Sequence, residues 1–131
     1  MTHLIDDELS IRELVARCML TFDHGDEHAW LACWAPDAEF RVNGKVARTR
    51  DELSGLFRGA ARPIHHMTAD SVIDVHGDTA THECSLVVFA PSADGPRIRT
   101  HGHYSDRLVR TDDRWLFSYR EMNPFRFVAQ A

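Results

Sequence analysis

The second half of the chain constrains the fold most, because it is a series of long extended segments joined by short turns. The segments are rich in β-branched and aromatic residues, and Gly77, Gly95 and the pair Asp112 and Asp113 lie between them. They cover residues 64–75, 79–90, 97–110 and 114–128. Consecutive strands joined by tight turns pair as antiparallel neighbours, so we predict a four-stranded antiparallel meander.

Regularly spaced apolar side chains predict a helix near the start of the chain. They recur with the period of one helix face at Ile11, Leu14, Val15, Cys18, Met19 and Phe22. Asp6 or Asp7 can cap the start of this helix, and Gly25 marks its end. We therefore predict an amphipathic first helix within residues 6–26.

A second, shorter helix and a hairpin are predicted next. The helix lies within residues 26–37, carries Trp34 and stops at Pro36. Asn43 and Gly44 then stand between two short extended runs, which is a strong local signal for a tight hairpin turn.

A third helix completes the predicted elements. Thr49 and Glu52 have the spacing of a capping box that opens a helix over residues 50–61. Three N-terminal helices followed by a curved sheet predict an α+β fold with the helices on one side of the sheet.

Size and charge narrow the class of protein. The 131 residues, 44% of them hydrophobic, are enough for one domain over 1–131 with its own core. The net charge of −5 argues against nucleic acid and anionic membranes as partners, since both are bound through basic patches. No apolar run approaches the about 18 residues that cross a bilayer.

The cysteines and the N-terminus indicate a cellular location. Cys18, Cys33 and Cys84 are odd in number and far apart, which is typical of reduced thiols rather than a disulfide framework. The acidic N-terminal residues lack the pattern of a secretory signal. We therefore expect a cytoplasmic protein.

Asp23 is the first candidate for chemistry. It follows Met19 by four residues, so a continuous helix places it on the apolar face, at the helix end where the macrodipole disfavours a carboxylate. Such violations of local rules tend to mark functional sites. The alternative is that the helix ends by Phe22 and that Asp23 simply begins a polar turn.

Two adjacent histidines begin the first long strand. In a regular strand, His65 lies on the same face as Met67, Ile73 and Val75. The residues that share the other face with His66 are mostly polar. Alternation therefore predicts that His65 faces inward and His66 faces solvent or another subunit. An inward histidine needs partners for its ring nitrogens, and Asp23 would be one that also stabilises an imidazolium.

A metal site is an alternative use of other histidines. His101 and His103 lie on one strand face and could chelate zinc or iron, with His82 and Glu83 near in sequence. The charged residues Arg97, Arg99 and Arg107 on the same face make it look solvated. We therefore expect no metal and no cofactor. No nucleophile elbow or phosphate loop is present in the sequence.

The order of four stretches resembles a known family. "FDHGD", "WAPDAEF", "IHHMTADSVIDVHGDTA" and "HGHYSDRLVRTDDRWLFSYRE" are similar to the SnoaL-like branch of the nuclear transport factor 2-like superfamily, over about residues 6 to 124. The likeness is to lyases of the scytalone dehydratase, bile-acid 7α-dehydratase and hexachlorocyclohexane dehydrochlorinase type. It implies a cone-shaped α+β barrel around a deep, mostly apolar pocket.

The resemblance also implies a site. In those lyases an Asp that ends the first helix and a His that starts the third strand form a cofactor-free dyad, which matches Asp23 and His65. An arginine of the last strand matches Arg120. The other substrate-binding residues expected here are Phe22, Cys18, Trp34, Tyr104 and Met67. Phe22 and Cys18 replace a tyrosine and a basic residue of particular relatives, which puts the reactions of those relatives in doubt.

These expectations define a leading function and its alternatives. We expect a dehydratase-like lyase in which His65 removes a proton from a small apolar molecule and Asp23 orients it. A polyketide-type cyclase, an isomerase, and a non-catalytic module like a dioxygenase β-subunit remain open. The resemblance implies a homodimer or homotrimer, since family members bury the exposed face of the open curved sheet in such assemblies. Alternating strand positions fit such an outward face, namely Phe117, Tyr119, Val87 and Phe89.

Overall fold

Three helices and six strands make up the described part of the chain. The structure, a computed structural model, describes residues 2–126, so Phe127 and Val128 of the last predicted strand lie outside the described residues. The helices are α1 (Thr2–Asp23), α2 (Glu27–Leu31) and α3 (Arg50–Gly59). The strands are β1 (Trp34–Val42), β2 (Lys45–Ala47), β3 (His65–His76), β4 (Thr79–Ala90), β5 (Arg97–Thr111) and β6 (Arg114–Pro124).

The strands form one curved, open sheet in the order β2-β1-β6-β5-β4-β3. The meander of β3 to β6 is antiparallel, as predicted, whereas β1 joins β6 in parallel. The predicted cone-shaped α+β fold is therefore confirmed, with a sheet that is not closed into a barrel. Among the described helices, none combines the length and the apolar character needed to cross a membrane.

Local turn and cap signals were predicted well. Asn43 and Gly44 both adopt positive φ, 51° and 75°, which is the geometry of a tight hairpin turn whose twist matches its strands. The Thr49 hydroxyl accepts a hydrogen bond from the Glu52 backbone N–H at 3.1 Å, which caps α3.

Two helix boundaries differ from the prediction. The second helix ends at Leu31, and Trp34 begins a strand because its backbone pairs with Phe117 of β6. The first helix starts at Thr2 instead of being capped by Asp6 or Asp7. Asp7 instead accepts hydrogen bonds from Arg110 and from the Trp115 indole N–H, which ties the helix to the sheet.

A bulge in β3 reverses the alternation of its side chains. The pairing with β4 shifts between Ala69 and Val72, and Asp70 has a positive φ of 59°. Ile73 and Val75 therefore face the core after the bulge, but before it the even-numbered residues do. The prediction that His65 faces inward assumed regular alternation through this bulge, and it is wrong.

A second bulge, in β6, has the same effect. Leu108 pairs with Phe117, but the preceding Arg107 pairs with Tyr119, so Ser118 is the extra residue. Phe117 is fully buried, and its predicted outward facing is wrong. Because of the bulge, both Phe117 and Arg120 point into the core although they are three residues apart.

Candidate active site

A cavity of about 260 Å³ lies between the concave face of the sheet and the helices. Most of its wall is apolar and comes from every layer of the fold. The wall includes Met19 and Phe22 of α1, Leu56 of α3, Phe40 of β1, Leu86 and Val88 of β4, and Met122 of β6. A mostly apolar cavity of this kind is the usual form of a small-molecule site, in which a few polar groups set the chemistry.

The Asp23 carboxylate and the His66 ring form a pair at this cavity. Asp23 Oδ1 lies 2.6 Å from His66 Nδ1, and Asp23 Oδ2 accepts the His66 backbone N–H at 2.8 Å. The two side chains are only 8% and 11% exposed. The carboxylate at the end of α1 therefore holds both the ring and the backbone of the strand residue.

The pairing fixes which ring nitrogen is available. An ionised carboxylate only accepts hydrogen bonds, so the hydrogen lies on Nδ1 and Nε2 carries the free lone pair. His66 lines the cavity, and its Nε2 makes no hydrogen bond to any residue within 2–126. Phe22 packs its ring edge-on to the imidazole, with the ring centroids 5.3 Å apart. The result is an oriented imidazole, with one unpaired nitrogen, beside an apolar space.

The predicted dyad partner was wrong by one residue. His65 is exposed and lies opposite Phe89 on the outer face of the sheet, with ring centroids 5.8 Å apart. Met67, predicted to bind substrate, is 54% exposed and faces the same way. His66 instead pairs with Val88, which lines the cavity. The signal that could have revealed this is Asp70, a residue type that tolerates positive φ in the middle of a strand pattern.

A second polar cluster crosses three neighbouring strands. Asp106 of β5 pairs in register with His82 of β4 and Arg120 of β6. Arg120 donates Nε and Nη2 to the two Asp106 oxygens, at 2.7 and 2.9 Å. His82 Nδ1 lies 2.7 Å from Asp106, and Ser71 lies 2.9 Å from His82 Nε2. We call this cluster the buried relay. Its polar groups have partners, and the weakest contact is that of Arg120 Nη1 with the Cys18 sulfur at 3.8 Å.

Electrostatics keep the Asp106 and Arg120 side chains ionised. Burial alone raises the pKa of Asp106, but the Arg120 guanidinium and the hydrogen bonds to it outweigh burial and lower that pKa. Burial lowers the pKa of Arg120, and Asp106 reverses this and raises it. Sequence reasoning missed Asp106 and considered His82 only as a possible metal ligand. Each shares its strand face with buried apolar residues, namely Leu108 for Asp106 and Cys84 for His82.

The remaining predicted pocket residues all lie in the cavity wall. They are Phe22, Cys18, Trp34, Tyr104 and Arg120. Arg120 Nη1 contacts the Cys18 sulfur at 3.8 Å, and its guanidinium lies over the Tyr104 ring at 3.8 Å from the centroid. Burial raises the pKa of both the Cys18 thiol and the Tyr104 phenol, so both stay neutral.

Trp34 has a buried donor without a partner. Its Nε1 makes no hydrogen bond to the described residues and is shielded from solvent. A buried unsatisfied donor of this kind costs about 1–3 kcal/mol.

The histidines of the metal hypothesis do not converge. His82 points inward to Asp106, while Glu83 and His103 lie on exposed positions of the other face. Within the residues whose side chains are described, no three His, Cys, Asp or Glu side chains group as metal ligands.

Helices laid over a curved mixed sheet, with a cavity between them, define the class as nuclear transport factor 2-like. The chain belongs to the SnoaL-like domain family, whose model matches residues 4–121. Among proteins of curated function, none matches the chain.

Solved structures agree with this assignment. A protein of unknown function from Mycobacterium tuberculosis is 33% identical, with 97% of this chain and 76% of that chain covered and a TM-score of 0.91. An NTF2-like protein with a cystatin-like fold from Novosphingobium aromaticivorans is 30% identical, over 92% and 82%, with a TM-score of 0.85. A candidate scytalone dehydratase from the same organism shares the fold at 19% identity, over 100% and 95%, with a TM-score of 0.83.

Proposed function

We propose that this chain is a cofactor-independent, dehydratase-like lyase for a small, largely apolar molecule, with His66 as its base and Asp23 as the residue that orients it. The observation that carries the proposal is the Asp23–His66 pair, whose unpaired Nε2 belongs to a side chain in the cavity wall. A scaffold domain has no need of such a pair. The candidate scytalone dehydratase of similar fold is consistent with the proposal.

The proposed reaction uses the chain's own groups. His66 Nε2 takes a proton from the carbon next to a carbonyl, and the electrons of that C–H bond form the new double bond. The leaving hydroxyl departs with its bonding electrons and receives the proton from the imidazolium, so that the products are water and an unsaturated carbonyl compound. Asp23 stabilises the imidazolium between these steps, as a carboxylate does in other histidine-based sites.

Arg120 is proposed to stabilise the developing negative charge on the substrate. It lines the cavity, and Nη1 has only the Cys18 sulfur, 3.8 Å away, as a partner. A donor that strengthens its bond as charge appears on the substrate accelerates the chemical step rather than binding alone.

The test is a screen of β-hydroxy ketones and enolisable ketones with the wild type, His66→Ala and His65→Ala. Enone formation is followed by absorbance, and proton abstraction is followed by deuterium uptake from D₂O, which also detects substrates that exchange without eliminating. We expect His66→Ala to lose roughly 10²–10⁴-fold in rate, the usual contribution of a general base. His65→Ala is the matched control, since His65 faces away from the cavity, and it should stay within about twofold of the wild type.

The screen also separates the alternatives. Exchange or rearrangement without loss of water would favour an isomerase or a cyclase in the same cavity. Equal rates for His66→Ala and the wild type would remove His66 from the mechanism, and the absence of any turnover or exchange across the panel would favour a non-catalytic module.

We also propose that a second copy of the chain covers the outer face of the sheet. Met67, Val87 and Phe89 lie side by side there, and Ile98 pairs with Phe89. Met67 and Ile98 are 54% and 58% exposed. Light scattering should give the mass of a dimer or trimer, and the double variant Met67→Lys, Ile98→Lys should reduce it to 15 kDa. A monomeric wild type at high micromolar concentration would contradict this.

A further inference from the structure

An open pocket on the protein surface adjoins the cavity. It has a volume of about 470 Å³, and two of the residues that line it, Ala61 and Arg99, also line the cavity. Both residues are exposed, so the two spaces meet on the solvent side of the cavity. Three arginines, Arg62, Arg97 and Arg99, line the open pocket, and no acidic residue is among the described residues that line it. We call it the arginine pocket.

A bulge in β5 turns two of these arginines toward the cavity side of the sheet. Arg99 is an extra residue there, because Val88 pairs with Thr100 whereas the next residue, Phe89, pairs with Ile98. Val88 and Thr100 line the cavity, while Phe89 and Ile98 lie on the outer face. The two arginines that flank Ile98 in the sequence therefore lie on the other side of the strand, in the wall of the arginine pocket.

The third arginine is held in place beside the cavity. Arg62 Nη1 donates a hydrogen bond to the backbone carbonyl of Phe22, and the guanidinium lies over the rings of Phe22 and Phe57, at 4.8 and 4.5 Å from their centroids. Phe22 lines the cavity and packs against His66. The other nitrogens of Arg62 make no hydrogen bond within residues 2–126, so they are available to a ligand.

The positive charge of the arginine pocket is not neutralised by the protein. None of its three arginines forms an ion pair in the described part of the chain. Other arginines near the surface do form ion pairs, namely Arg17, Arg41, Arg48, Arg58 and Arg110. Cations gathered without a counterion create a local potential that attracts an anion, even in a chain with a net charge of −5.

We infer that the arginine pocket binds the phosphate group of a ligand whose apolar body occupies the cavity. The inference rests on the proposed function and narrows it, since the small, largely apolar substrate then carries a phosphate group. Guanidinium groups match phosphate oxygens in paired hydrogen bonds, and a phosphate monoester offers three such oxygens to the three arginines. The phosphate stays at the exposed end, where it keeps part of its hydration, while the mostly apolar cavity takes the body.

Three probes test this inference by binding, independently of turnover: 1-naphthyl phosphate, 1-naphthol and inorganic phosphate. Calorimetric titrations are done at about pH 8, where a phosphate monoester is a dianion. 1-Naphthyl phosphate should bind roughly 3- to 100-fold more tightly than 1-naphthol, the range expected for three exposed ion pairs. Inorganic phosphate should compete with it but bind more weakly, because it has no apolar body for the cavity.

A matched pair of double variants locates the phosphate. Arg97→Gln with Arg99→Gln should weaken the binding of 1-naphthyl phosphate by roughly 2- to 30-fold, as expected for two exposed ion pairs, and leave that of 1-naphthol within about twofold. The control is Arg12→Gln with Arg17→Gln. It changes the net charge equally at exposed positions of α1 that line neither the cavity nor the arginine pocket, and it should leave both affinities within about twofold.

Several outcomes would overturn the inference. They are equal affinity for 1-naphthol and 1-naphthyl phosphate, equal losses in the two double variants, and binding of inorganic phosphate as tight as that of 1-naphthyl phosphate. The last result would mean that the cavity does not take the body of the ligand. His66→Ala should bind 1-naphthyl phosphate like the wild type, so a failure here is distinguishable from a failure of the proposed catalysis.

Discussion

Two histidine–aspartate pairs among the described side chains use the same atoms for different purposes. In the buried relay, both nitrogens of His82 have partners, on Asp106 and Ser71, and Asp106 also binds Arg120 through both of its oxygens. In the Asp23–His66 pair, one imidazole nitrogen has no partner among the described residues. A saturated pair can hold strands together, but it has no lone pair to offer a substrate. The comparison therefore separates a structural pair from a candidate catalytic one by counting the partners of each nitrogen.

The largest effect that tests this contrast is expected from Asp23→Asn. The amide can donate to His66 Nδ1 and so favour the tautomer that carries its hydrogen on Nε2, which removes the base while keeping the shape. We predict a rate loss of roughly 10²–10⁴-fold in the deuterium-exchange assay, with a change in the free energy of unfolding of about 1 kcal/mol or less. A variant with full activity would mean that orientation by Asp23 is dispensable.

Arg120→Leu tests the structural role of the buried relay by its effect on the free energy of unfolding. The substitution leaves the Asp106 carboxylate buried with only His82 as its side-chain partner among the described residues. Breaking a buried ion pair from one side typically costs about 3–5 kcal/mol. We predict a decrease of that size in the free energy of unfolding measured by urea denaturation. The surface variant Arg17→Leu, which breaks an exposed ion pair with Glu13, is the control and should change stability by less than about 1 kcal/mol. Equal effects of the two variants would contradict the assignment.

The smallest effect is a dependence of stability on acid. The pKa of Asp106 is lower in the folded state than its unfolded value of about 3.9, so the unfolded chain binds the proton more readily. The stability that ionised Asp106 contributes is fully present above the pKa of the unfolded state, and it is lost as the pH falls through the lower pKa of the folded state. Urea titrations between pH 3 and 5 should show stability falling toward the acid end, and Asp106→Asn should flatten part of that slope. If the stability of Asp106→Asn falls with acid as steeply as that of the wild type, groups other than Asp106 cause the acid sensitivity.

Much of the architecture could be predicted because its signals are local. Asn43 and Gly44 define their turn through φ alone, Thr49 caps α3 through one hydroxyl, and the long strands are bounded by short turns. Trp34 was misplaced because its strand depends on pairing with Phe117, far away in sequence, which the helical spacing of nearby residues does not reveal.

The candidate site was half predicted for a related reason. Asp23 was found because an acid on an apolar helix face is visible in the sequence itself. His65 was chosen over His66 because alternation was counted from Ile73 and Val75, and one extra residue lies between them and the doublet. Asp106 was missed, and His82 was considered only as a metal ligand, because their pairing with Arg120 depends on the register of β4, β5 and β6.

The bulge at Asp70 makes the length of β3 matter more than its composition at that point. In a regular strand of the same length, Ile73 and Val75 would share their face with His65, so the one extra residue is what presents His66 to the cavity. Deleting one residue between Ala69 and Val72 would remove the bulge and leave His66 on the inner face. Over evolutionary time, the choice between the two histidines is therefore expected to depend on whether a strand of this length keeps its bulge.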